Sequence, residues 1–402
     1  MSTAAFVALI LSSALVTLDG TAVNVALPAI GRDLGARFSE LQWITDASLL
    51  MLALLLLPAG IVGDRFGRRR VTMLGLAAFC ATSVACGAAP GVRWLIAARL
   101  AQGAVAAFIV PGAIAILRAT YVDEKERARV FGIWAGWSGL ASAAGPLLGG
   151  ALADTLSWRA VFFVSAAITL PTLVLMRWVP ESCDRRGLTI RATLAAVVRT
   201  PNCLAGNIAT FVLYFGLFGL SFLLAVYTQD VLGYSGTWAA VALLPVSLMM
   251  LALSEWFGRM GTRYGPRRLL TAGSVAAGAG IMWVASGAEP LAFWTRIVAG
   301  TTLFGFGLAM AVAPMTHAAV SSVPNDCAGA ASGVNNAVVR AAGFLAIAVL
   351  GSLASAGPDD GRLSTESFRE ALMVCGGLVL VSGVLLSQLI RDSQRGGLAK
   401  AA

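Results

Sequence analysis

Long runs of apolar residues, separated by short charged loops, are the feature that most limits how this chain can fold. Examples cover residues 47–61, 269–285 and 371–389. Because an α-helix rises 1.5 Å per residue, about 20 apolar residues cross the roughly 30 Å hydrocarbon layer of a membrane. Charged residues make up only 12% of the chain, whereas a soluble domain carries about 25%. The sequence therefore predicts an all-α polytopic membrane protein.

The apolar runs and the breaks between them predict twelve membrane-spanning helices. We place these helices at residues 4–30, 42–63, 71–87, 93–118, 130–153, 160–178, 204–227, 237–258, 269–286, 293–316, 328–351 and 370–390. Twenty lysine and arginine residues lie in the loops after predicted helices 2, 4, 6 and 8 and in the C-terminal tail, and six lie in the opposite loops. Positive residues concentrate on the cytoplasmic side. This asymmetry predicts a multi-pass protein of the inner, cytoplasmic membrane with both termini in the cytoplasm.

The N-terminal apolar run has no basic segment before it, so we expect it to be retained as the first helix and not removed as a signal peptide. The net charge of +9 does not indicate nucleic-acid binding, because the arginines lie in short loops and form no basic face. Six cysteines show no metal-binding spacing, and we interpret them as structural residues. The single histidine, His317, is interpreted as a surface or loop residue.

Motifs for catalysis or nucleotide binding are missing from the sequence: it has no GxSxG, no Walker phosphate loop and no metal-spaced His/Cys set. We therefore expect no catalytic residues, no metal and no cofactor. Without a nucleotide-binding loop, any transport would draw its energy from an ion gradient.

The two halves of the chain repeat each other. Residues 60–70 and 258–268 carry the same pattern of glycines and arginines at an offset of 198, and Arg99–Gly103 matches Arg296–Gly300 at an offset of 197. Repeated halves of one topology are a transporter architecture with the substrate site between the halves. We predict an N-terminal six-helix bundle at residues 1–178, a cytoplasmic linker at 179–203 with a surface helix near 188–198, and a C-terminal bundle at 204–402.

Five segments together resemble the major facilitator superfamily, within its drug:proton antiporters of the EmrB/QacA type. They are residues 18–28 in helix 1, 41–46 at the start of helix 2, 60–70 after helix 2, 99–103 in helix 4 and 145–150 in helix 5. The resemblance covers most of the chain and implies two pseudo-symmetric six-helix bundles. Relatives of this type usually carry fourteen helices, a tyrosine at the position of Ser48 and a glycine at that of Ala141.

Three polar residues inside predicted spans are candidates for proton coupling. Carboxylates at mid-membrane are costly and persist mainly where they face a cavity, a partner or a proton route. Asp19 lies near the middle of helix 1, where it is either a protonation site or a hydrogen-bonded packing residue. Asp46 is either functional or a solvated carboxylate at the start of helix 2. Arg99 keeps its proton at any working pH, so it would pair with a carboxylate or carbonyl, or clamp the fold.

Two further motifs concern conformational change. The resemblance implies that the loop after helix 2 acts as a cytoplasmic latch in the outward-open state, with Gly60, Asp64, Arg65, Gly67, Arg68 and Arg69 as its residues; the alternative is that its arginines only fix topology. In helix 5 the resemblance assigns Gly145, Pro146, Gly149 and Gly150 to a motif of exporters. Small residues at steps of three and four, starting at Gly132, predict close helix packing, and Pro146 predicts a bend.

The expected substrate cavity combines polar and aromatic residues from both halves: Asn24, Trp43, Gln102, Trp137, Tyr214, Asn336 and Arg340. Apolar lining with few charges suits hydrophobic, or cationic, drug-like compounds. The sequence thus predicts a proton-coupled antiporter that exports such compounds as a monomer in the lipid bilayer by alternating access. A proton-coupled importer of a small metabolite is the alternative on the same fold, and a membrane-embedded sensor or enzyme is a more distant one.

Overall fold

The computed structural model describes residues 2–121, 123–183, 199–286, 292–321, 328–355 and 363–389. Twelve long helices lie within these ranges: α1 Thr3–Leu34, α2 Phe38–Phe66, α3 Arg68–Gly87, α4 Val92–Thr120, α5 Glu124–Thr155, α6 Trp158–Trp178, α7 Pro201–Val231, α8 Gly236–Tyr264, α9 Pro266–Ala285, α10 Ala299–Ser321, α11 Ala328–Ser355 and α12 Thr365–Leu389. The described residues include no strand, so the predicted all-α class is confirmed.

Ten of these helical segments are long and apolar enough to cross a membrane. The other two are α5 and α12; α5 packs against α1 and α8, and α12 packs against α7 and α9. Because successive helices run in opposite directions, α1 begins and α12 ends on one face of the protein. We call this the terminal face and the opposite one the distal face.

Local sequence sets several helix boundaries. Ser2, Asp123, Ser157 and Ser235 each precede a helix and accept a hydrogen bond from a backbone N–H of its first turn, which satisfies a donor that has no partner inside the helix. The tight turn between α2 and α3 is made by Gly67, with φ of 105°, and the turn between α8 and α9 by Gly265, with φ of 86°. Both backbone conformations favour glycine. The internal repeat seen in the sequence is therefore also a repeat of backbone geometry.

Helix α4 is not continuous. Its regular hydrogen bonding stops after Ala106, a short turn covers residues 107–109, and a second segment runs from Val110 with Pro111 in its first turn. Proline lacks the N–H that would continue the ladder and is well tolerated at a helix start. The break places the second segment beside α3, where Gly112 lies against the Thr72 side chain.

Helix α5 links the two halves of the chain through very close contacts. A side chain at Gly149 would collide with the backbone of Ala22 in α1, and one at Gly150 would collide with the backbone of Gly236 in α8. The predicted small-residue packing is therefore present at the distal end of α5. Near the terminal face the same helix is loosely surrounded, and added side chains at Gly132 and Gly136 would meet open space.

The halves also meet where α1 packs against α7 and where α2 packs against α11. These helices surround the centre of the molecule, where the cavity described below lies. The division at residues 178 and 204 stays a prediction, and the surface helix predicted near 188–198 lies outside the described residues.

We predict that Gly149→Val destabilises the protein by about 1–3 kcal/mol, because overpacking forces the backbones of α1 and α5 apart. Thermal unfolding of the purified protein in detergent measures the change. Gly136→Val, in the same helix, is the matched control and should leave the unfolding temperature nearly unchanged. Equal effects of the two substitutions would contradict the packing described for α5.

Candidate functional site

A buried arginine organises the centre of the N-terminal half. The guanidinium of Arg99 in α4 donates to Asp19 Oδ2 at 2.8 Å, to Gln102 Oε1 at 2.6 Å and to Ser48 Oγ at 2.7 Å. Its Nε donates to the backbone oxygen of Ile44 at 3.1 Å. These bonds tie α4 to α1 and α2, so the buried ion pair also fixes the relative positions of three helices.

The pair formed by Arg99 and Asp19 is almost wholly withdrawn from solvent, with side chains only 2% and 5% exposed. A buried charge of either sign is costly unless it is paired and hydrogen-bonded. The second carboxylate oxygen, Asp19 Oδ1, accepts from the amide nitrogen of Gln102 at 3.2 Å. The same nitrogen also donates to Ser83 Oγ at 2.8 Å. The pair therefore adds no net charge to the interior.

Asp46 lies on α2, and its environment differs from that of Asp19. The residue is 3% exposed, and its Oδ1 atom has no hydrogen-bond partner among the described residues. One turn before it, Gln42 donates to the backbone oxygen of Ile347 in α11 at 2.8 Å; one turn after it, Leu49 lies beside Gly343 of α11. Helical spacing thus puts Asp46 on the side of α2 that meets the other half.

A cavity of about 500 Å³ lies between the halves and reaches the Asp19–Arg99 pair. Its volume is within the range of roughly 300–1,000 Å³ that is usual for small-molecule sites. The N-terminal half contributes Asn24, Gln102, Phe131, Trp134 and Pro146 among others, and the C-terminal half contributes Tyr214, Phe218, Asn336 and Arg340 among others. From the centre the lining continues toward the terminal face through Ser13 and Ser332.

Five of the seven residues expected to line the cavity do so: Asn24, Gln102, Tyr214, Asn336 and Arg340. The other two expectations are corrected, since Trp43 and Trp137 are not part of the lining and are 48% and 51% exposed on the outside of the helices. The reason is helical periodicity. Trp43 is about 200° from the lining residue Thr45 on α2, and Trp137 is about 100° from Ser138 on α5.

In the C-terminal half, a buried polar cluster holds α11 against α7. The Asn335 amide donates to Asn207 Oδ1 at 3.2 Å and to Thr210 Oγ1 at 2.8 Å. The neighbouring Asn336 donates to the backbone oxygen of Ser332 at 3.2 Å. The bonds of Asn335 to α7 thus fix the orientation of α11, whose Arg340 lines the cavity.

The loop after α2 lies at the terminal face and is held by a carboxylate from beyond α6. Asp64 accepts from Arg68 Nε at 2.7 Å. Glu181 accepts from the backbone N–H groups of Arg69 and Arg70 at 2.9 Å and 3.2 Å, which is a favourable place for an anion at a helix N-terminus. Arg65 is exposed beside the ring of Phe66, and Gly60 packs near Pro111. These contacts join the loop to α4 and to the segment that follows α6.

Polar contacts join the halves near the distal face. Asp154, at the end of α5, accepts from the backbone N–H groups of Gly236 and Thr237 at 2.9 Å and 2.8 Å and from Thr237 Oγ1 at 2.7 Å. Arg32 pairs with Asp230 at 3.2 Å, and further in, Gln229 donates to the backbone oxygen of Val25 at 2.9 Å. At the distal face α5 is thus tied to α8, and α1 is tied to α7.

The helix-5 motif lies along these close contacts. Gly145 approaches the Thr21 side chain of α1, and Gly149 and Gly150 make the contacts with α1 and α8 described above. Pro146 is inside the helix and lines the cavity. The motif therefore connects the cavity wall with the distal contacts.

The sequence of residues 9–348 matches the family model described as Major Facilitator Superfamily. The chain belongs to this superfamily. It is 31% identical to the tetracenomycin C resistance and export protein of Streptomyces glaucescens, covering 84% of this chain and 73% of that protein. It is also 31% identical to a puromycin resistance protein of Streptomyces alboniger, covering 87% and 81% of the two chains.

The fold agrees with this membership. A solved bacterial homologue of the human lysosomal transporter Spinster, in an inward-facing and unoccupied conformation, superposes with a TM-score of 0.78 over 97% of both chains, at 18% identity. The predicted superfamily and fold class are confirmed. The protein is a multi-pass membrane transporter of small molecules, as the superfamily implies.

Sequence reasoning did not identify several residues that support the site. Ser48 appeared only as a departure from the tyrosine of relatives, yet it accepts a hydrogen bond from Arg99. Asp154 lies in the last turn of α5 and Glu181 in the segment after α6, and their partners are more than 80 residues away. The sequence did carry a signal for Ser48. A small polar residue stands where relatives usually have a tyrosine, and this leaves room for a hydrogen bond from a buried arginine. Asp154 and Glu181 carried no such signal.

We predict that Arg99→Gln lowers the free energy of unfolding by about 3–5 kcal/mol, because it leaves the Asp19 carboxylate buried without its charged partner. The double variant Asp19→Asn with Arg99→Gln should lose less than the sum of the two single variants, since no charge is then left unpaired. Unfolding in detergent by heat or denaturant measures the stability of the wild type, the two single variants and the double variant. The control Arg32→Gln, which breaks an exposed pair, should lower the free energy of unfolding by at most about 1 kcal/mol. If the losses from Asp19→Asn and Arg99→Gln simply add in the double variant, the proposed coupling is contradicted.

Proposed function

We propose that this protein exports small, hydrophobic, drug-like compounds in exchange for protons. The observation that carries the proposal is the buried Asp19–Arg99 pair at the wall of the central cavity. The relatives named above, a resistance and export protein and a resistance protein, support export as the direction. Transport by the two halves moving about a central site is the mode that the superfamily implies.

Asp19 is the proposed proton carrier. When Asp19 is ionised, it holds Arg99, Gln102 and thereby three helices together. A proton on its carboxyl group removes the charge that balances Arg99, and the guanidinium then needs another acceptor. Arg99 itself keeps its proton throughout the cycle. A proton gradient can therefore drive rearrangement of α1, α2 and α4 around this point.

Asp46 is the proposed second proton site. It lies at the contact of α2 with α11, and one carboxyl oxygen has no partner among the described residues. In the membrane interior such a group is more stable when protonated. Loss of that proton would place a charge between the halves and favour their separation.

The conformation described here is closed at the distal face and has its cavity directed to the terminal face. With the termini in the cytoplasm, it corresponds to the state that takes up substrate from the cell interior. Release outside requires the contacts of Asp154, Arg32 and Gln229 to break. The loop at Asp64 and Arg68 would then close against the C-terminal half and latch the outward-open state.

The remaining assignments are part of the same proposal. We place the protein in the inner membrane as a monomer, with residues 1–178 and 204–402 as the moving bundles and residues 179–203 as the cytoplasmic linker. Protons and the exported compound are its partners, with no role for nucleic acid and no enzymatic activity.

We expect expression in a bacterial strain without its own pumps to lower the cellular accumulation of a hydrophobic antibiotic or dye, and a protonophore to abolish the effect. Asp19→Asn should abolish the difference, because the carboxyl group can no longer bind and release a proton. Asp123→Asn is the control, since it removes an exposed carboxylate and keeps a good helix cap. Uptake instead of efflux would favour the importer, and unaltered efflux with Asp19→Asn would exclude our assignment of the carrier.

We predict that Asp154→Ala shifts the protein toward the outward-open state, because three donors at the start of α8 lose their shared anionic acceptor. Spin labels at the positions of Leu156 and Tyr234, in a background without native cysteines, would report the distance between the halves at the distal face. Longer distances should become more populated. The neighbouring Thr155→Ala should have no such effect, since among the described residues its hydroxyl bonds to Ala151 of its own helix. Unchanged distances with Asp154→Ala would contradict a role in closure.

A further inference from the structure

The charge of the cavity gives information about the exported compound, if export is the function. Three charged side chains are among the described residues of the lining: Asp19, Arg99 and Arg340. Asp19 and Arg99 balance each other at 2.8 Å. Within the described part of the chain, Arg340 has no carboxylate within 4.0 Å. When Asp19 is ionised, the cavity therefore carries one positive charge that the protein does not balance.

Arg340 is held where a ligand can reach it. It is half-buried on α11, one turn after Asn336, and Tyr214 of α7 is close enough to interact with it electrostatically. The amide groups of Asn335 and Asn336 already donate to acceptors within the protein. The guanidinium is thus the strongest hydrogen-bond donor of the C-terminal half that the described contacts leave open to the cavity.

An arginine in this position is costly unless it has an anionic partner or access to water. It cannot lose its charge to relieve the cost. A role in setting the orientation in the membrane does not explain Arg340, because it lies in the interior of α11 and not in a loop. Pairing with Asp19 does not explain it either, because that carboxylate is already engaged by Arg99 and Gln102.

We propose that the exported compound carries an acidic group, a carboxylate or an ionised phenol, which the guanidinium of Arg340 binds. An apolar body attached to that group would pack against Leu217 and Phe218 and, across the cavity, Phe131. This inference rests on the proposed export function and names its substrate class. It is an alternative to the cationic compounds that the sequence suggested, and charge decides between the two.

Two dyes with the same xanthene ring system and opposite charge test the proposal. Fluorescein is anionic at neutral pH, and rhodamine 123 is cationic. Their binding to the purified protein in detergent, followed by fluorescence polarisation, does not depend on transport. We expect fluorescein to bind more tightly than rhodamine 123, and Arg340→Gln to weaken fluorescein binding by about tenfold to hundredfold, as for loss of a charge-assisted hydrogen bond.

Two further variants make the result specific. Arg340→Lys keeps the charge, so it should retain part of the fluorescein affinity even though its geometry differs. Arg93→Gln removes the same charge from an exposed position at the start of α4, and it should leave both affinities unchanged. A loss for Arg340→Gln that is equal for the two dyes would overturn the proposal, because it would indicate a damaged cavity and not charge recognition.

Efflux from cells distinguishes failure of the acidic-substrate proposal from failure of the proposed export function. If rhodamine 123 is exported in a protonophore-sensitive manner while fluorescein is neither bound nor exported, the export function stands and the acidic-substrate proposal is overturned. If neither dye is bound or exported, both the export function and the acidic-substrate proposal are contradicted. Export of fluorescein that is lost in Arg340→Gln but not in Arg93→Gln supports both.

Discussion

The guanidinium of Arg99 is the group on which the N-terminal half depends. A positive charge that is 2% exposed in a membrane protein needs several acceptors at once, and it finds them on α1, on α2 and within α4. Losing any one of these hydrogen bonds is costly in a medium of low dielectric constant. The same network that positions the helices is therefore the one that a proton on Asp19 would alter.

Close packing at α5 extends this constraint to the other half. The backbones of α1 and α8 both approach α5 where it carries glycine, and Asp154 then reaches the start of α8. Contacts between backbones leave little room for gradual adjustment. Motion between the halves is thus expected as a change between two packed arrangements, in which the polar contacts at the distal face are either all made or all broken.

Charge is distributed unequally between the two halves of the cavity. The N-terminal half carries a carboxylate and a guanidinium that neutralise each other, while the C-terminal half carries Arg340 among neutral groups such as Tyr214 and Asn336. This division would assign proton coupling to one half and recognition of the compound to the other. The arrangement lets the energy source and the substrate act on the same central space through different residues.

The sequence by itself determined the twelve long helices of the described residues, the repeat and the superfamily, because these follow from apolar length, from an offset of 198 residues and from short motifs. It also indicated Asp19 and Arg99, since ionisable groups are rare inside apolar spans. Only the tertiary structure decided which groups meet: that Ser48 receives Arg99, that Trp43 and Trp137 face outward, and that Asp154 caps a helix of the other half. Such pairings depend on helix rotation and on contacts between distant residues, which local pattern does not encode.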